Sequence, residues 1–181
     1  GRLGISNSDA IEGLQNMKEV PGRLERYLIK DGGSCVIDFA HSPDSLEKVL
    51  GALRPVCKGK LCVVFGAGGD RDKTKRPLMG EVASRLADEV IVTSDNPSSE
   101  DPETITKEIE AGVKQHHSNY KIIVDRREAI YEGLSSVSEG DILLVSGKGP
   151  ERYQILKDGS IPFLDKDVLS DWCAKNSREL A

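Results

Sequence analysis

Short apolar runs alternate along the chain with segments whose apolar positions recur three or four residues apart. The runs at 34–39, 61–65, 89–93, 120–124 and 141–145 have the length and composition of buried strands. Helical spacing follows the first four, and a hairpin-like pair is predicted at 153–156 and in the stretch before Phe163. This order predicts an α/β fold, a Rossmann-like open and mostly parallel sheet with helices on both faces.

Recognisable residues mark where the predicted helices begin. Ser42, Asp125 and Asp165 are predicted to cap three helices, and two further helices are predicted to begin near Pro77 and Pro102. The apolar positions expected to face the core from these helices are Leu46, Val49, Leu50, Leu53, Met79, Val82, Ala83, Leu86, Ile105, Ile109, Val113, Ala129, Ile130, Leu134, Val137, Val168, Leu169 and Trp172.

Ligands of such sheets bind beyond the carboxyl ends of the strands. Four polar or glycine-containing stretches directly follow predicted strands, at 38–42, 66–76, 95–100 and 147–151. We therefore expect the functional residues to lie in these stretches and to meet at one edge of the sheet.

The most informative stretch is 66–77, which reads Gly-Ala-Gly-Gly-Asp-Arg-Asp-Lys-Thr-Lys-Arg-Pro. Glycines allow the backbone to approach a ligand closely, and cations at the entrance of a helix favour an anion there. The pattern therefore favours a carboxylate or phosphate pocket over a solvated, charged loop. Its spacing matches neither the Walker A loop nor G-x-G-x-x-G.

The other three stretches are less specific when each is taken alone. Asp38 can hold a ribose hydroxyl or a metal-bound water, and His41 can do the same or simply pack. Asn96 offers a donor and an acceptor to an amino-acid ligand, but its surroundings also fit a turn that starts a helix. Glu151 can hold an ammonium group, although 147–151 alone is better explained as a surface turn.

Composition and charge argue against several classes of protein. The 25 Lys and Arg and 30 Asp and Glu residues give a net charge of −5, which argues against nucleic-acid binding by bulk charge. No apolar run is long enough to span a bilayer, and the N-terminus lacks a signal-peptide pattern. The chain begins at Gly1 rather than Met, so we expect it to be part of a longer protein.

Cysteine and histidine usage argues against a metal site. The four cysteines form no C-x-x-C pair, and the three histidines are too scattered for zinc. Cys35 and Cys62 lie inside apolar runs, where a buried, reduced thiol is the ordinary interpretation. Reduced thiols favour a cytoplasmic location.

In their order and on these strands, the motifs resemble the C-terminal domain of the Mur ligases, most of all the MurE type (UDP-N-acetylmuramoyl-tripeptide synthetases). The residues that carry the resemblance are Pro21-Gly22-Arg23, Asp38-Phe39-Ala40-His41, Gly68-Gly69-Asp70-Arg71-Asp72-Lys73 with Lys75-Arg76-Pro77, Asp95-Asn96-Pro97, and Gly147-Lys148-Gly149 with Glu151. The resemblance implies that 20–181 form the C-terminal domain. It also implies that 1–19, with a helix predicted at 7–17, are the end of a central ATPase domain.

The resemblance implies an ADP-forming ligase of peptidoglycan synthesis. Such an enzyme adds a diamino acid, L-lysine or meso-diaminopimelate, to UDP-MurNAc-L-Ala-D-Glu. ATP phosphorylates the C-terminal carboxylate, the incoming amine attacks the acyl phosphate, and Mg²⁺ offsets the charge. In this family the phosphate-binding loop and metal ligands belong to the central domain. The present chain is therefore expected to hold no catalytic residue or metal ligand of its own and to be inactive alone. The expected partners are the central and N-terminal domains, the UDP-MurNAc-dipeptide and the diamino acid, with no nucleic acid or membrane.

The resemblance also implies roles for individual residues. Arg23, Asp38 and His41 are expected at the ATP. The residues expected to line the diamino-acid pocket are Arg71, Asp95, Asn96, Pro97, Ser98, Gly147 and Glu151. Of these, Arg71 is expected to pair with the α-carboxylate, and Glu151 to hold a side-chain amine together with backbone groups.

Two positions depart from the MurE pattern. Ser98 stands where diaminopimelate-specific members usually carry an arginine that grips the second carboxylate, and Pro150 stands where histidine is usual. Burying a carboxylate without a cation is costly, so Ser98 favours a lysine-like diamino acid. Ser98 itself, Ser99, Lys73 or Lys75 could compensate for the missing arginine.

Two alternatives to a ligase domain stay open at this point. One is a stand-alone Rossmann-like module that binds a nucleotide or an amino acid without turnover. The other is a folylpolyglutamate synthetase, which shares the architecture, although Asp-Asn-Pro together with Gly-Lys-Gly argues against it. A Gly-Lys-Thr phosphate loop upstream of the present sequence would distinguish the ligase from the binding module.

Overall fold

The structure is a computed structural model that describes residues 6, 8, 20–30, 32–116 and 119–180. The helix predicted at 7–17 lies outside the described residues, apart from Ser8.

Six strands form the main sheet: β1 (Glu25–Leu28), β2 (Ser34–Asp38), β3 (Leu61–Phe65), β4 (Glu89–Val92), β5 (Tyr120–Ile122) and β6 (Ile142–Ser146). Their spatial order is β1-β2-β6-β3-β4-β5. β1 pairs antiparallel with β2, and every other neighbouring pair is parallel. A separate antiparallel hairpin consists of β7 (Tyr153–Leu156) and β8 (Gly159–Pro162). The predicted mostly parallel sheet and hairpin are both confirmed.

Strand β1 is absent from the sequence prediction. It has only four residues, alternately half-buried and exposed, and it lies at the edge of the sheet. Because two of its four residues, Glu25 and Arg26, are charged, the segment lacks the apolar pattern that predicts a strand. Leu24, just before it, has a φ of 46°, and its N–H donates to the Asp38 carboxylate at 2.8 Å. Pairing with the buried strand β2, rather than a local pattern, therefore fixes this edge.

Within the described residues, the helices that connect consecutive strands are α1 (Pro43–Leu53), α2 (Lys75–Leu86), α3 (Pro102–Val113) and α4 (Arg126–Ser136), with a 3-10 turn at Arg54–Val56 after α1. A further helix, α5 (Asp165–Lys175), follows the hairpin. Ser42 caps α1 as predicted, because its hydroxyl accepts from the Ser45 N–H at 3.3 Å. Asp125 caps α4 in the same way, accepting from the Glu128 N–H at 3.0 Å.

Two predicted helix starts differ from the structure. α2 begins at Lys75, slightly before Pro77. The prediction that Asp165 caps α5 is wrong, because Leu164 is the N-cap and Asp165 is already helical. The Asp165 carboxylate instead pairs with the guanidinium of Arg126 at 2.8 Å, and both side chains are fully buried.

The core lies on both faces of the sheet. Helices α1, α2 and α3 pack against one face, to which the inner strands contribute Val36, Val63, Phe65, Val90, Val92 and Leu144. Helices α4 and α5 pack against the other face, to which the same strands contribute Cys35, Ile37, Val64, Ile91, Leu143 and Val145. Burial on both faces explains why these strands read as continuous apolar runs in the sequence.

All four cysteines are free and buried, which confirms the prediction made for Cys35 and Cys62. Burial raises the pKa of the Cys62 thiol to about 12, so this thiol stays protonated at neutral pH. Within the described ranges, no three His, Cys, Asp or Glu side chains are grouped so that they could hold a metal ion. No helix in the described part of the chain is long and apolar enough to cross a membrane.

Candidate functional site

A cleft of about 550 Å³ lies where the loops after β2, β3, β4 and β6 meet the β7–β8 hairpin. These four strands are parallel, so their carboxyl ends share one edge of the sheet. The residues that line the cleft are Phe39, His41, Gly68, Gly69, Arg71, Lys75, Asp95, Asn96, Ser98, Gly147, Glu151, Tyr153 and Ile155. All four predicted stretches therefore contribute to one site.

Most of the predicted site residues meet in this cleft. Those that line it are His41, Arg71, Asp95, Asn96, Ser98, Gly147 and Glu151. Arg23, Asp38 and Pro97 do not line it. Asp38 and Pro97 directly neighbour lining residues in sequence, and the Arg23 guanidinium lies over the ring of Phe39, which lines the cleft.

Arg71 is held over the cleft by a tightly fixed glycine loop. The Gly69 N–H donates to the Asn96 carbonyl at 2.8 Å. Asp70 has a φ of 53°, and its carboxylate accepts from the N–H of Ser99 at 3.1 Å and from its hydroxyl at 2.7 Å. The exposed Arg71 guanidinium has no hydrogen-bond or ion-pair partner among the described residues. The loop thus presents an uncompensated cation to a ligand.

Glu100 ties the glycine loop to the loop after β4. Its carboxylate accepts from the buried guanidinium of Arg76 at 2.9 and 3.0 Å and from the Asp70 N–H at 2.7 Å. Lys73 adds an ion pair at 2.8 Å. These donors, with Arg76 foremost, hold the pKa of the Glu100 carboxyl well below its usual range. Glu100 therefore has a structural role, because it joins the two loops that carry Arg71 and Asn96.

A second part of the site is built around the buried ammonium of Lys148. Its Nζ donates to Asn96 Oδ1 at 2.9 Å, to Glu151 Oε2 at 2.9 Å and to the Tyr153 carbonyl at 2.7 Å. Asn96 Nδ2 donates to Glu151 Oε2 at 2.8 Å, and the Ile155 N–H donates to Asn96 Oδ1 at 3.0 Å. The asparagine amide and the glutamate are thereby fixed side by side.

Asp95 forms part of the floor. Burial raises the pKa of its carboxyl, and the charges of Arg126 and Lys148 act in the opposite direction. Arg126 also donates to the carbonyls of Ser94 at 3.3 Å and Ser146 at 3.1 Å, the residues just before Asp95 and Gly147. The buried Arg126 thus fixes the ends of β4 and β6 at the cleft.

Gly147 has a conformation that only glycine adopts easily. Its φ is 116°, and a Cβ at this position would lie 2.4 Å from the Asp95 carboxylate. Gly147 therefore lets the backbone pass close to Asp95.

The carboxyl end of β2 forms a third part of the site. Both oxygens of the buried Asp38 carboxylate accept backbone N–H groups, from Leu24 and Ala40, each at 2.8 Å. The Arg23 guanidinium lies over the Phe39 ring, 4.7 Å from its centre, and His41 packs edge-on against the same ring. Asp38 is therefore engaged in holding the loop, whereas Arg23 and His41 are exposed.

Ser98 has a φ of 55°, and its N–H donates to the Ile155 carbonyl at 3.1 Å. Lys75 lines the same cleft and donates to the His41 carbonyl at 2.8 Å. Burial lowers the pKa of the Lys75 ammonium. The cations that line the cleft in the described structure are thus Arg71 and Lys75.

Phe39, Tyr153 and Ile155, which line the cleft, and Lys148, which holds its wall, have no role in the sequence prediction. Phe39 and Lys148 stand inside quoted motifs without a role, and Tyr153 and Ile155 belong to the hairpin. The signal for Lys148 was a lysine between two glycines at the end of a buried strand. No local signal shows that the hairpin folds back over the strand ends.

A family model described as "Mur ligase, glutamate ligase domain" matches residues 22–149 of the chain. The UDP-N-acetylmuramoyl-L-alanyl-D-glutamate–2,6-diaminopimelate ligase 1 of Clostridium acetobutylicum is 47% identical over 171 residues, covering 93% of this chain and 35% of that protein. The corresponding ligase of Geobacillus thermodenitrificans is 46% identical over 165 residues, covering 91% and 34%. The chain therefore spans about a third of the length of these curated relatives.

Two solved structures show the same relationship. A UDP-N-acetylmuramoyl-L-alanyl-D-glutamate–2,6-diaminopimelate ligase superposes with a TM-score of 0.81 at 35% identity, covering 97% of this chain and 36% of that one. A folylpolyglutamate synthase from Thermotoga maritima superposes with a TM-score of 0.53 at 26% identity, covering 81% and 32%. Sequence, motifs and fold agree, and the chain belongs to the Mur ligase C-terminal domain family.

Proposed function

We propose that this chain is the C-terminal domain of an ATP-dependent, MurE-type ligase that adds a diamino acid to UDP-MurNAc-L-Ala-D-Glu in peptidoglycan synthesis. Residues 20–181 form this domain, and 1–19 are the end of a central ATPase domain. The observation that carries the proposal is the charge pattern of the cleft, which is lined both by Arg71, without a partner among the described residues, and by the hydrogen-bonded Asn96–Glu151 pair.

This pattern suits a zwitterionic amino acid. The Arg71 guanidinium would bind a carboxylate through charge-assisted hydrogen bonds. Glu151 Oε1 accepts no hydrogen bond from any described residue, so it would receive an ammonium group. The domain would thus deliver the amine to an acyl phosphate formed by ATP, and attack of the amine would form the peptide bond and release phosphate.

For the diamino acid we propose diaminopimelate. The names of the relatives support it, and Lys75, which lines the same cleft as Arg71 and Ser98, offers a second cation. A preference for lysine, inferred from Ser98 alone, is the competing outcome.

ATP would reach this domain from the side of β2. Arg23 and His41 are exposed there and would contact the nucleotide, whereas Asp38 would position their loop through its two backbone contacts. The phosphate-binding loop and the Mg²⁺ ligands would come from the central domain of the same polypeptide, which we propose to act in the cytoplasm.

The test is phosphate release by the complete polypeptide that carries this chain. ATP, Mg²⁺, UDP-MurNAc-L-Ala-D-Glu and meso-diaminopimelate are supplied together and then omitted one at a time, with L-lysine replacing diaminopimelate in a parallel series. We expect release only with all four components. Binding of an amino acid or nucleotide without release would favour a stand-alone binding module, and release with a folate and glutamate instead would favour a folylpolyglutamate synthase.

A further inference from the structure

Lys148 is buried but does not face a ligand. Its side chain is fully inaccessible to solvent, and the Nζ donates one hydrogen bond each to Asn96, Glu151 and the Tyr153 carbonyl. An ammonium has three donors and no acceptor, so no N–H of Lys148 is left for a substrate. Lys148 must therefore affect substrate binding through the groups that it holds.

The first of these groups is the Asn96 amide. Its oxygen accepts from Lys148 Nζ at 2.9 Å and from the Ile155 N–H at 3.0 Å, and both partners can only donate. The oxygen and nitrogen of the amide are therefore distinguished by chemistry. Nδ2 must face Glu151 Oε2, and a ligand that meets the NH₂ side of this amide must supply an acceptor.

The second group is the Glu151 carboxylate. Oε2 is occupied by Lys148 and Asn96, which leaves Oε1 to accept from a ligand. The side chain of Glu151 is 29% exposed, and Lys148 beneath it is 0% exposed. The glutamate is thus oriented from below by a buried charge.

The third group belongs to the hairpin. Lys148 holds the Tyr153 carbonyl at 2.7 Å, at the start of the strand whose residues Tyr153 and Ile155 line the cleft. Because one ammonium contacts three of the elements around the cleft, its loss would release all three at once.

From this geometry we propose that Lys148 is a positioning residue that sets the hydrogen-bond polarity of the amino-acid cleft. It makes Asn96 a donor, turns Glu151 Oε1 towards an ammonium, and fixes the hairpin wall. This inference rests on the proposed function, because its consequence is selective binding of the amino-acid substrate.

The test compares Lys148→Met with wild type in the complete polypeptide, with Lys157→Met, an exposed lysine of the same hairpin, as the matched control. We expect Lys148→Met to raise the KM for diaminopimelate about tenfold or more. The KM for ATP should change less than about twofold, and the control should leave both unchanged. An unchanged KM for diaminopimelate, or equal increases for both substrates, would overturn the proposal.

A double-mutant cycle separates positioning from general support of the fold. In an Asn96→Ala/Glu151→Ala background, Lys148→Met should raise the KM by a clearly smaller factor than in wild type, because two of its three partners are already absent. An undiminished effect would show that Lys148 acts on the fold and not through them.

Asn96→Asp tests the same polarity without changing Lys148, and it is informative even if Lys148→Met does not fold. The new carboxylate still accepts from Lys148 but faces the Glu151 carboxylate, so the KM should rise at least as much as in Asn96→Ala. An Asn96→Asp enzyme with a wild-type KM would refute donor polarity. A wild-type polypeptide that shows no diaminopimelate-dependent phosphate release would instead remove the proposed function, and this inference with it.

Discussion

The contact between the glycine loop and the loop after β4 can be tested by substituting each of two neighbouring glycines, Gly68 and Gly69, with alanine. A Cβ at Gly69 would lie 1.8 Å from the Pro97 carbonyl oxygen, which forces the two loops apart. A Cβ at Gly68 would lie 3.6 Å from its nearest neighbour, the Cγ of Arg71, which is ordinary contact. Neither glycine has a positive φ, so the two substitutions differ in space and not in backbone strain.

The expected size of the effect follows from what Gly69→Ala must break. Separation of the loops removes the hydrogen bond from the Gly69 N–H to the Asn96 carbonyl, worth about 1 kcal/mol. Forcing extra volume into a packed contact costs roughly 1–3 kcal/mol more. We therefore expect Gly69→Ala to lower the free energy of unfolding by about 2–4 kcal/mol. Gly68→Ala should be neutral or stabilising by up to roughly 1 kcal/mol, because alanine restricts the unfolded chain.

Urea unfolding of the 181-residue chain, followed by far-UV circular dichroism, measures both free energies. Binding of the diamino acid should also weaken in Gly69→Ala, because Asn96 moves with the displaced loop. Equal unfolding free energies for the two variants would refute the close approach of Gly69 to Pro97.

Three further predictions follow from the same contacts. Ser98→Arg should raise the ratio of kcat/KM for diaminopimelate over lysine about tenfold in the complete polypeptide, since it adds a cation for the second carboxylate. Ser98→Gln must adopt the same positive φ but carries no charge, so it should leave this ratio unchanged. An equal rise in Ser98→Gln would contradict the charge argument. Folding lowers the pKa of the Glu100 carboxyl, so its contacts with Arg76 and Lys73 stabilise the fold above the unfolded pKa of about 4.3. This stabilisation is lost as the pH falls and the carboxylate is protonated. Glu100→Gln should therefore be less stable than wild type at pH 7 in urea unfolding, with a difference that narrows in acid; a difference independent of pH would rule out ionic stabilisation by Glu100. The present chain alone should release no phosphate above background with all substrates, and turnover by it would contradict the need for a central domain.

The sequence was sufficient for the order of strands and helices because both faces of the sheet are buried. Continuous apolar runs such as 61–65 are typical of inner strands of a parallel sheet, and every residue of this strand is buried. The edge strand β1 escaped prediction because it is short, charged and dependent on β2 for its partner. The sequence predicts a helix cap at Asp165 because a local pattern cannot reveal a buried arginine 39 positions away.

The candidate site was predicted in part for a similar reason. Residues that follow strand ends, such as Arg71 and Asn96, could be grouped because the topology brings those ends together. Lys148 and Tyr153 could not be assigned, since their roles depend on the hairpin folding back across the strand ends. Asp38 was expected at the ATP, but the structure engages both of its oxygens with backbone N–H groups, which sequence alone does not show.

The most direct test of the account is the effect of Arg71→Ala on the KM values of the complete polypeptide for the diamino acid and for ATP, with Arg152→Ala as the control. Arg152 is an exposed arginine that does not line the cleft. Loss of the charge-assisted contact from Arg71 should cost about 1.5–3 kcal/mol. The KM for the diamino acid should thus rise roughly tenfold to a hundredfold, with little change in the KM for ATP and none in the control. Equal increases in both KM values, or no increase for the diamino acid, would contradict the assignment of this cleft as the amino-acid site.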